Sequence, residues 1–187
     1  MHKTTKLELH YYLSGASHSM DARVRNNCES EILAIVEHVS EELQFPVSIE
    51  VEALREGGIK DVLSFFGNDK QNLILFSSLL TCVFAFQAIP DRELIELQKE
   101  ELRLSITQLQ QQLRKNENVE KPIKNIAELI SHQPKIIARK SEFYKSAQKE
   151  IKVKRVGFTA LDYNENPAFP EQNVERKNLG LTPKIDF

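Results

Sequence analysis

Cysteine is scarce in this chain of 187 residues, with only Cys28 and Cys82 present. They lie far apart, and the second sits inside an apolar run, so neither a disulfide framework nor a zinc cluster is expected. An excess of charge of one sign is also missing. With 25 basic against 27 acidic residues the formal net charge is -2, which removes any bulk electrostatic drive toward nucleic-acid phosphates and leaves only local patches. The motifs of common chemistry are lacking too: there is no P-loop, Rossmann fingerprint, HExxH helix, Gly-x-Ser-x-Gly elbow or Cys-x-x-Cys pair. The histidines, His2, His10, His18, His38 and His132, follow no metal-ligand spacing, so no metal or cofactor is expected. Residues 1–13 mix His, Lys, Glu and Tyr and lack the basic head and apolar middle of a secretory signal. The best arrangement for an enzyme is Glu29, Glu31, Glu50, Glu52 and Glu56 beside His18, Arg23 and Arg25. Solvated helix and strand faces account for most of these carboxylates, and no catalysis is expected.

Hydrophobic residues make up 41% of the chain and charged residues 28%, a balance that supports folding. Lys6 to Leu13 is short, aromatic and partly alternating, which predicts a strand ending at Ser14-Gly15. Val24, Cys28, Ile32, Ile35, Val36, Val39 and Leu43 then recur at helical spacing and predict an amphipathic helix of about six turns. Ser19 is the expected cap, with Asp21 complementing the helix dipole and Pro46 closing the helix. Val47 to Ala53 alternates strictly and predicts a half-buried strand, completing a small β-α-β unit. After Gly57-Gly58, Ile59 to Phe66 reads as a short helical turn with Ile59, Val62, Leu63 and Phe66 on one face, suited to a membrane surface or to a core.

Leu73 to Ile89 carries no charge and is bounded by Asp69-Lys70 and Pro90-Asp91-Arg92. As a helix it reaches the low end of transmembrane length. Ser77, Thr81, Ala85 and Ala88 would line one face with small side chains, a helix-packing or pore face if several copies meet. The competing reading is a buried helix of a soluble domain, which is equally apolar all round.

Asp91 to Lys115 is rich in Glu, Leu and Gln. Its Ile95, Leu102, Ile106, Leu109 and Leu113 fall on a and d heptad positions, the pattern of an oligomerising helix or of a surface helix packed on its own domain. Helices are predicted over Pro122 to His132 and from Lys135 to Ile151, then a strand over Val153 to Leu161 and an extended loop over Asn164 to Pro170. Arg139, Lys140, Lys145, Lys149, Lys152, Lys154 and Arg155 form the main basic concentration, interleaved with Phe143 and Tyr144. They are candidates for holding an anionic ligand, with a solvated basic face as the alternative. The segment Leu179 to Phe187 reads as a connection onward, so a longer product is expected.

The sequence reading is therefore α+β: a small β-α-β domain over 1–69, a single transmembrane helix over 70–90, a long heptad helix over 91–117, and a helical and strand part over 118–187 that could begin a sensor domain. The stretch His18-Ser19-Met20-Asp21-Ala22, with Arg25-Asn26, Glu29, Glu31, Glu52-Ala53, Glu56-Gly57-Gly58 and the later Arg139-Lys140-Ser141 and Phe143-Tyr144, resembles a bacterial family. That family comprises the membrane effectors of nucleotidyltransferase-linked anti-phage defence systems of the Hailong kind. The resemblance implies an inner-membrane homo-oligomer in contact with lipid, acting as an ion channel or membrane-disrupting protein. It further implies gating by a nucleotide or oligonucleotide messenger from the partner nucleotidyltransferase. The alternative is a soluble cytoplasmic adaptor or scaffold with a buried apolar helix.

Overall fold

The computed structural model of the chain describes residues 3–52, 59–86, 95–115 and 117–179. Strand β1, Lys3–Leu13, places Thr5, Leu7, Leu9 and Tyr11 in the core and leaves Lys6, Glu8, His10 and Tyr12 on the other face. Helix α1, Ala22–Leu43, buries the predicted stripe of Cys28, Ile32, Ile35, Val36, Val39 and Leu43. Its cap is Asp21 rather than Ser19: the Asp21 carboxylate accepts from the backbone N–H groups of Arg23 at 2.8 Å and Val24 at 3.2 Å. A carboxylate there satisfies two unpaired donors and also meets the positive end of the helix dipole, which a serine hydroxyl cannot do. Gln44 turns left-handed at φ 53° to end the helix.

Strand β2, Ser48–Glu52, is followed by β3, Ile59–Gly67. The helical turn read over Ile59 to Phe66 is corrected here: the segment is a strand. Ile59, Asp61, Leu63 and Phe65 face the core, while Val62 and Ser64 are buried on the opposite face beneath charged neighbours. A strand covered on both sides loses the polar alternation by which strands are recognised. Strand β4, Val153–Leu161, matches its predicted span. The short β5, Gln172–Glu175, and the four-residue turn of helix α6, Arg176–Leu179, were not legible.

The strands form one five-stranded antiparallel sheet in the order β2-β3-β1-β4-β5. Strands β1 and β2 are thus separated by β3, the split β-α-β arrangement, extended at one edge by β5. At the centre, Leu9 of β1 lies opposite Asp61 of β3 and Phe158 of β4. The four consecutive units read from the sequence do not form a string, because β4 from the last part pairs with β1 from the first.

Helix α2, Lys70–Ala85, overturns the transmembrane reading. Phe76 packs edge-on against Phe65 with ring centres 5.3 Å apart, and Phe84 stacks on Phe158 at 5.1 Å, so one side of α2 lies on the core face of the sheet. Its far side is covered by α3, Ile95–Arg114, and α4, Glu120–Ser131. The last carbonyls of a helix have no partner within it. In α2 two of them, and the carbonyl of Phe86 that follows, are met by this chain's own side chains: Ser131 donates to Val83, Tyr144 to Phe84 and Lys140 to Phe86. Among the described residues no helix is long and apolar enough to cross a membrane. At 16 residues α2 spans about 24 Å at 1.5 Å per residue, against a hydrocarbon core of about 30 Å. It lacks a solvated face because a sheet and two helices surround it, which is how a core helix imitates a membrane span. The ion-channel reading falls with it.

Helix α5, Pro134–Lys149, packs along α1. His38 and Gln133 meet across this contact at 2.9 Å. Arg176 of α6 donates to the backbone carbonyls of Gln148, Glu150 and Val153, tying the end of α5 to the start of β4.

Candidate functional site

Three places gather chemistry-bearing side chains, and two of them are already closed. The first lies under α1. Asp61 is a core-face residue of β3, only 5% exposed, and its Oδ1 accepts from both Nε and Nη2 of Arg25 in the first turns of α1. Asp61 Oδ2 and Tyr11 Oη are buried without a hydrogen-bond partner among the described residues, the latter beside the Cys28 thiol. Burial pushes the Cys28 thiol up to about 12 and the Tyr11 phenol well above its usual value. Both stay protonated at neutral pH, so neither is a ready nucleophile or base. The void beside Asp61 and Glu29 is about 10 Å³, too small for a substrate.

The second place is the outer face of the sheet. Lys6 bridges Glu52 at 2.7 Å and Glu165 at 2.6 Å, and Lys60 pairs with Glu8 at 2.9 Å. Tyr12 donates to Glu171 at 2.6 Å, stacks near His10 and lies beneath the Arg155 guanidinium. The Tyr12 ring and Glu171 come so close to β4 that a side chain at Gly157 would collide with both. Burial opposes the charge on Lys6, but Glu165 and Glu52 hold its pKa above the ordinary value. Burial, then Lys60, lowers the pKa of His10. Alternating charges already neutralise one another here, and among the described residues nothing on this face resembles a free basic platform for phosphate.

The third place is open. A groove of about 860 Å³ lies where the end of α1, strand β2, the end of β3, the start of α2 and α3 converge. Its volume falls in the range of ligand-binding clefts. Leu73 and Phe45 form apolar parts of the wall, and Gly67 lets the Leu73 side chain approach to 3.1 Å of where a Cβ would sit. The carboxamides of Gln44, Asn68, Asn72 and Gln110 line it, and Gln110 of α3 donates to Asn72 of α2 at 3.3 Å. Asp69 caps α2 through Oδ1, accepting from the backbone N–H groups of Gln71 and Asn72. Its lining contains the carboxylates Glu50 and Asp69 and, among the described residues, no Lys, Arg or His. Strand β2 borders the groove as the sheet's edge, with no strand beyond it among the described residues, and Val51 is 47% exposed although its register points it toward the core side.

Comparison with protein-family profiles, curated proteins and solved structures returns no match. The site therefore rests on its own geometry.

Of the expected pore face, Ser77 and Thr81 are fully buried and donate to carbonyls of their own helix, Leu73 and Ile74 for Ser77 and Ser77 for Thr81. Ala85 is partly buried, and Ala88 lies outside the described residues, as do residues 53–58 and 180–187. Of the heptad set, Leu102, Ile106 and Leu109 are buried and Leu113 packs at the core's margin, all within one chain, while the Ile95 side chain lies outside what is described.

The basic residues do not converge. Arg139 pairs with Glu31 at 3.2 Å, Lys145 with Glu142 at 2.7 Å, and Lys152 donates to the Ser19 carbonyl at 3.0 Å. Lys140 is 2% exposed, and burial lowers its pKa to about 7. Lys149 and Lys154 point into solvent, and Arg155 covers Tyr12. Of the carboxylates weighed for an enzyme, Glu52 lies on the outer face of the sheet and Glu31 of α1 is held by Arg139 of α5, while Glu56 lies outside the described residues. The sequence reading missed Asp61; a lone Asp among apolar residues in Ile59 to Phe66 was the available signal.

Burial also pushes the Cys82 thiol up to about 12. Neither Cys28 nor Cys82 is expected to react with a thiol reagent at pH 8 until denaturant is added. Rapid native labelling of either, read by intact mass, would contradict the burial described.

Proposed function

We propose that this chain is a non-catalytic interaction module, an adaptor or scaffold, whose working surface is the groove beside β2. The observation that carries the reading is the contrast between that groove and the rest of the molecule. The uncharged run supplies the core helix α2, both thiols are buried and protonated, and Lys6 and Lys60 on the sheet are paired. The groove is a large concavity bordered by a strand edge that no other strand covers among the described residues, and such edges recruit extended segments of other proteins. A nucleotide messenger, as the family resemblance implies, fits less well, because the basic residues lie scattered and the groove is acidic.

Two measurements test this. Recovery from a detergent-free lysate as one monodisperse species is expected, and recovery only in detergent would overturn the reading. A photo-reactive residue at Ser48, irradiated in the producing cells, is expected to yield an adduct of discrete mass. Adducts forming only from a control position at the exposed Leu104 would count against the groove.

A further inference from the structure

We infer that the edge of β2 and the adjoining groove take an extended peptide in which lysine or arginine alternates with β-branched apolar residues. This rests on the adaptor reading and names its partner. In the pleated strand, Ser48, Glu50 and Glu52 point to the outer face of the sheet, and Ile49 and Val51 point to the helix-covered face. A strand added alongside repeats that division. Its outward side chains come to lie next to Glu50, Glu52 being already held by Lys6, and its inward side chains cover Ile49 and the exposed flank of Val51. Beyond Ser48 the same peptide runs into the groove, where Asp69 and the carboxamides of Asn68, Asn72 and Gln110 accept from a cationic side chain.

A second copy of this chain is the obvious rival for an open edge, and charge disfavours it. Antiparallel pairing of β2 with its own copy about its midpoint brings the two Glu50 carboxylates opposite one another, and like charges directly across a strand pair are destabilising. The glutamate that deters self-pairing is the one that favours a basic partner.

The probe is a fluorescein-labelled nine-residue peptide alternating Lys and Val, titrated into the intact chain and read by anisotropy. Binding about tenfold or more tighter than for the matching Glu and Val peptide is expected, and Glu50→Lys should weaken it about fivefold by replacing attraction with repulsion. Backbone geometry supplies a sharper criterion. Successive amides of a strand point to opposite sides, so N-methylation of one alternate set should abolish binding while methylation of the other set leaves it. Equal affinity for the Lys and Glu peptides, equal tolerance of both methylation patterns, or no binding at all would each overturn the inference. A chain that is monodisperse without detergent but ignores the peptide defeats strand addition alone; a chain recovered only in detergent defeats the adaptor reading beneath it.

Discussion

Arg25→Ala is expected to lower the unfolding free energy by about 3 kcal/mol, because it leaves the Asp61 carboxylate buried without its cation. Asp61 is enclosed by β1, β3 and α1, and both donated contacts to its Oδ1 come from the one guanidinium. Losing one partner of a buried pair costs more than losing both, since the remaining charge is desolvated without compensation. The double variant Arg25→Met, Asp61→Leu should therefore lie within about 1 kcal/mol of the parent, or above it, given that apolar replacements of buried pairs are often neutral or stabilising. Urea unfolding of the parent, the single and the double variants reads this directly. A single variant as stable as the parent would mean that water reaches Asp61 freely. Against a typical total stability of about 5–15 kcal/mol, the expected loss is large enough to measure without ambiguity.

Ser77→Leu with Thr81→Leu separates a core helix from a lipid-facing one, because the two environments answer with opposite signs. At helical spacing Leu73, Ser77, Leu80 and Phe84 share one side of α2, the side that meets the sheet, with Thr81 at its flank. The hydroxyls of Thr5 in β1 and of Ser77 both donate to the Leu73 carbonyl, at 3.2 and 3.1 Å, so Ser77 lies close to the strand. Adding a leucine at each position forces side chains into occupied space, at a cost of about 1–3 kcal/mol per site. Loss of cooperative thermal unfolding, or a midpoint lower by about 10 °C or more, is expected for a chain of this size. In a bilayer the same two leucines would be more favourable than the hydroxyls they replace. A variant with unchanged or raised stability would contradict the packing of α2 described above.

Much of the architecture could be read directly. The stripe of α1, the alternation of β2 and the span of β4 each follow one period for long enough to declare an element. The failures share a physical cause, which is burial from both sides. In β3 and α2 the polar face that reveals a period is missing, because Val62 and Ser64 lie under a charged lattice and the back of α2 lies under α4. Length was the remaining discriminator for α2, and its helical part stops at Ala85, short of Pro90.

The candidate site was less legible still. Gln44 after α1, Glu50 in β2, Asp69 before α2 and Gln110 in α3 are far apart along the chain and become neighbours only once the sheet places β3 between β1 and β2. Asp61 and Arg25 are similarly distant along the chain, so no local pattern links them. The heptad positions of α3 show how one apolar stripe serves two readings. Leu102, Ile106 and Leu109 have the spacing of a coiled coil, and here their burial is within one chain.

Whether the uncharged run is core or membrane helix is tested most directly by amide hydrogen exchange on the full chain in buffer without lipid or detergent. Amides from Leu75 to Phe84 should be among the slowest to exchange, matching those of β1 and β4, since opening them requires taking apart the whole core. Exchange of that segment within seconds, while β1 and β4 remain protected, would show that α2 is not held by the sheet and would contradict the fold on which the groove depends.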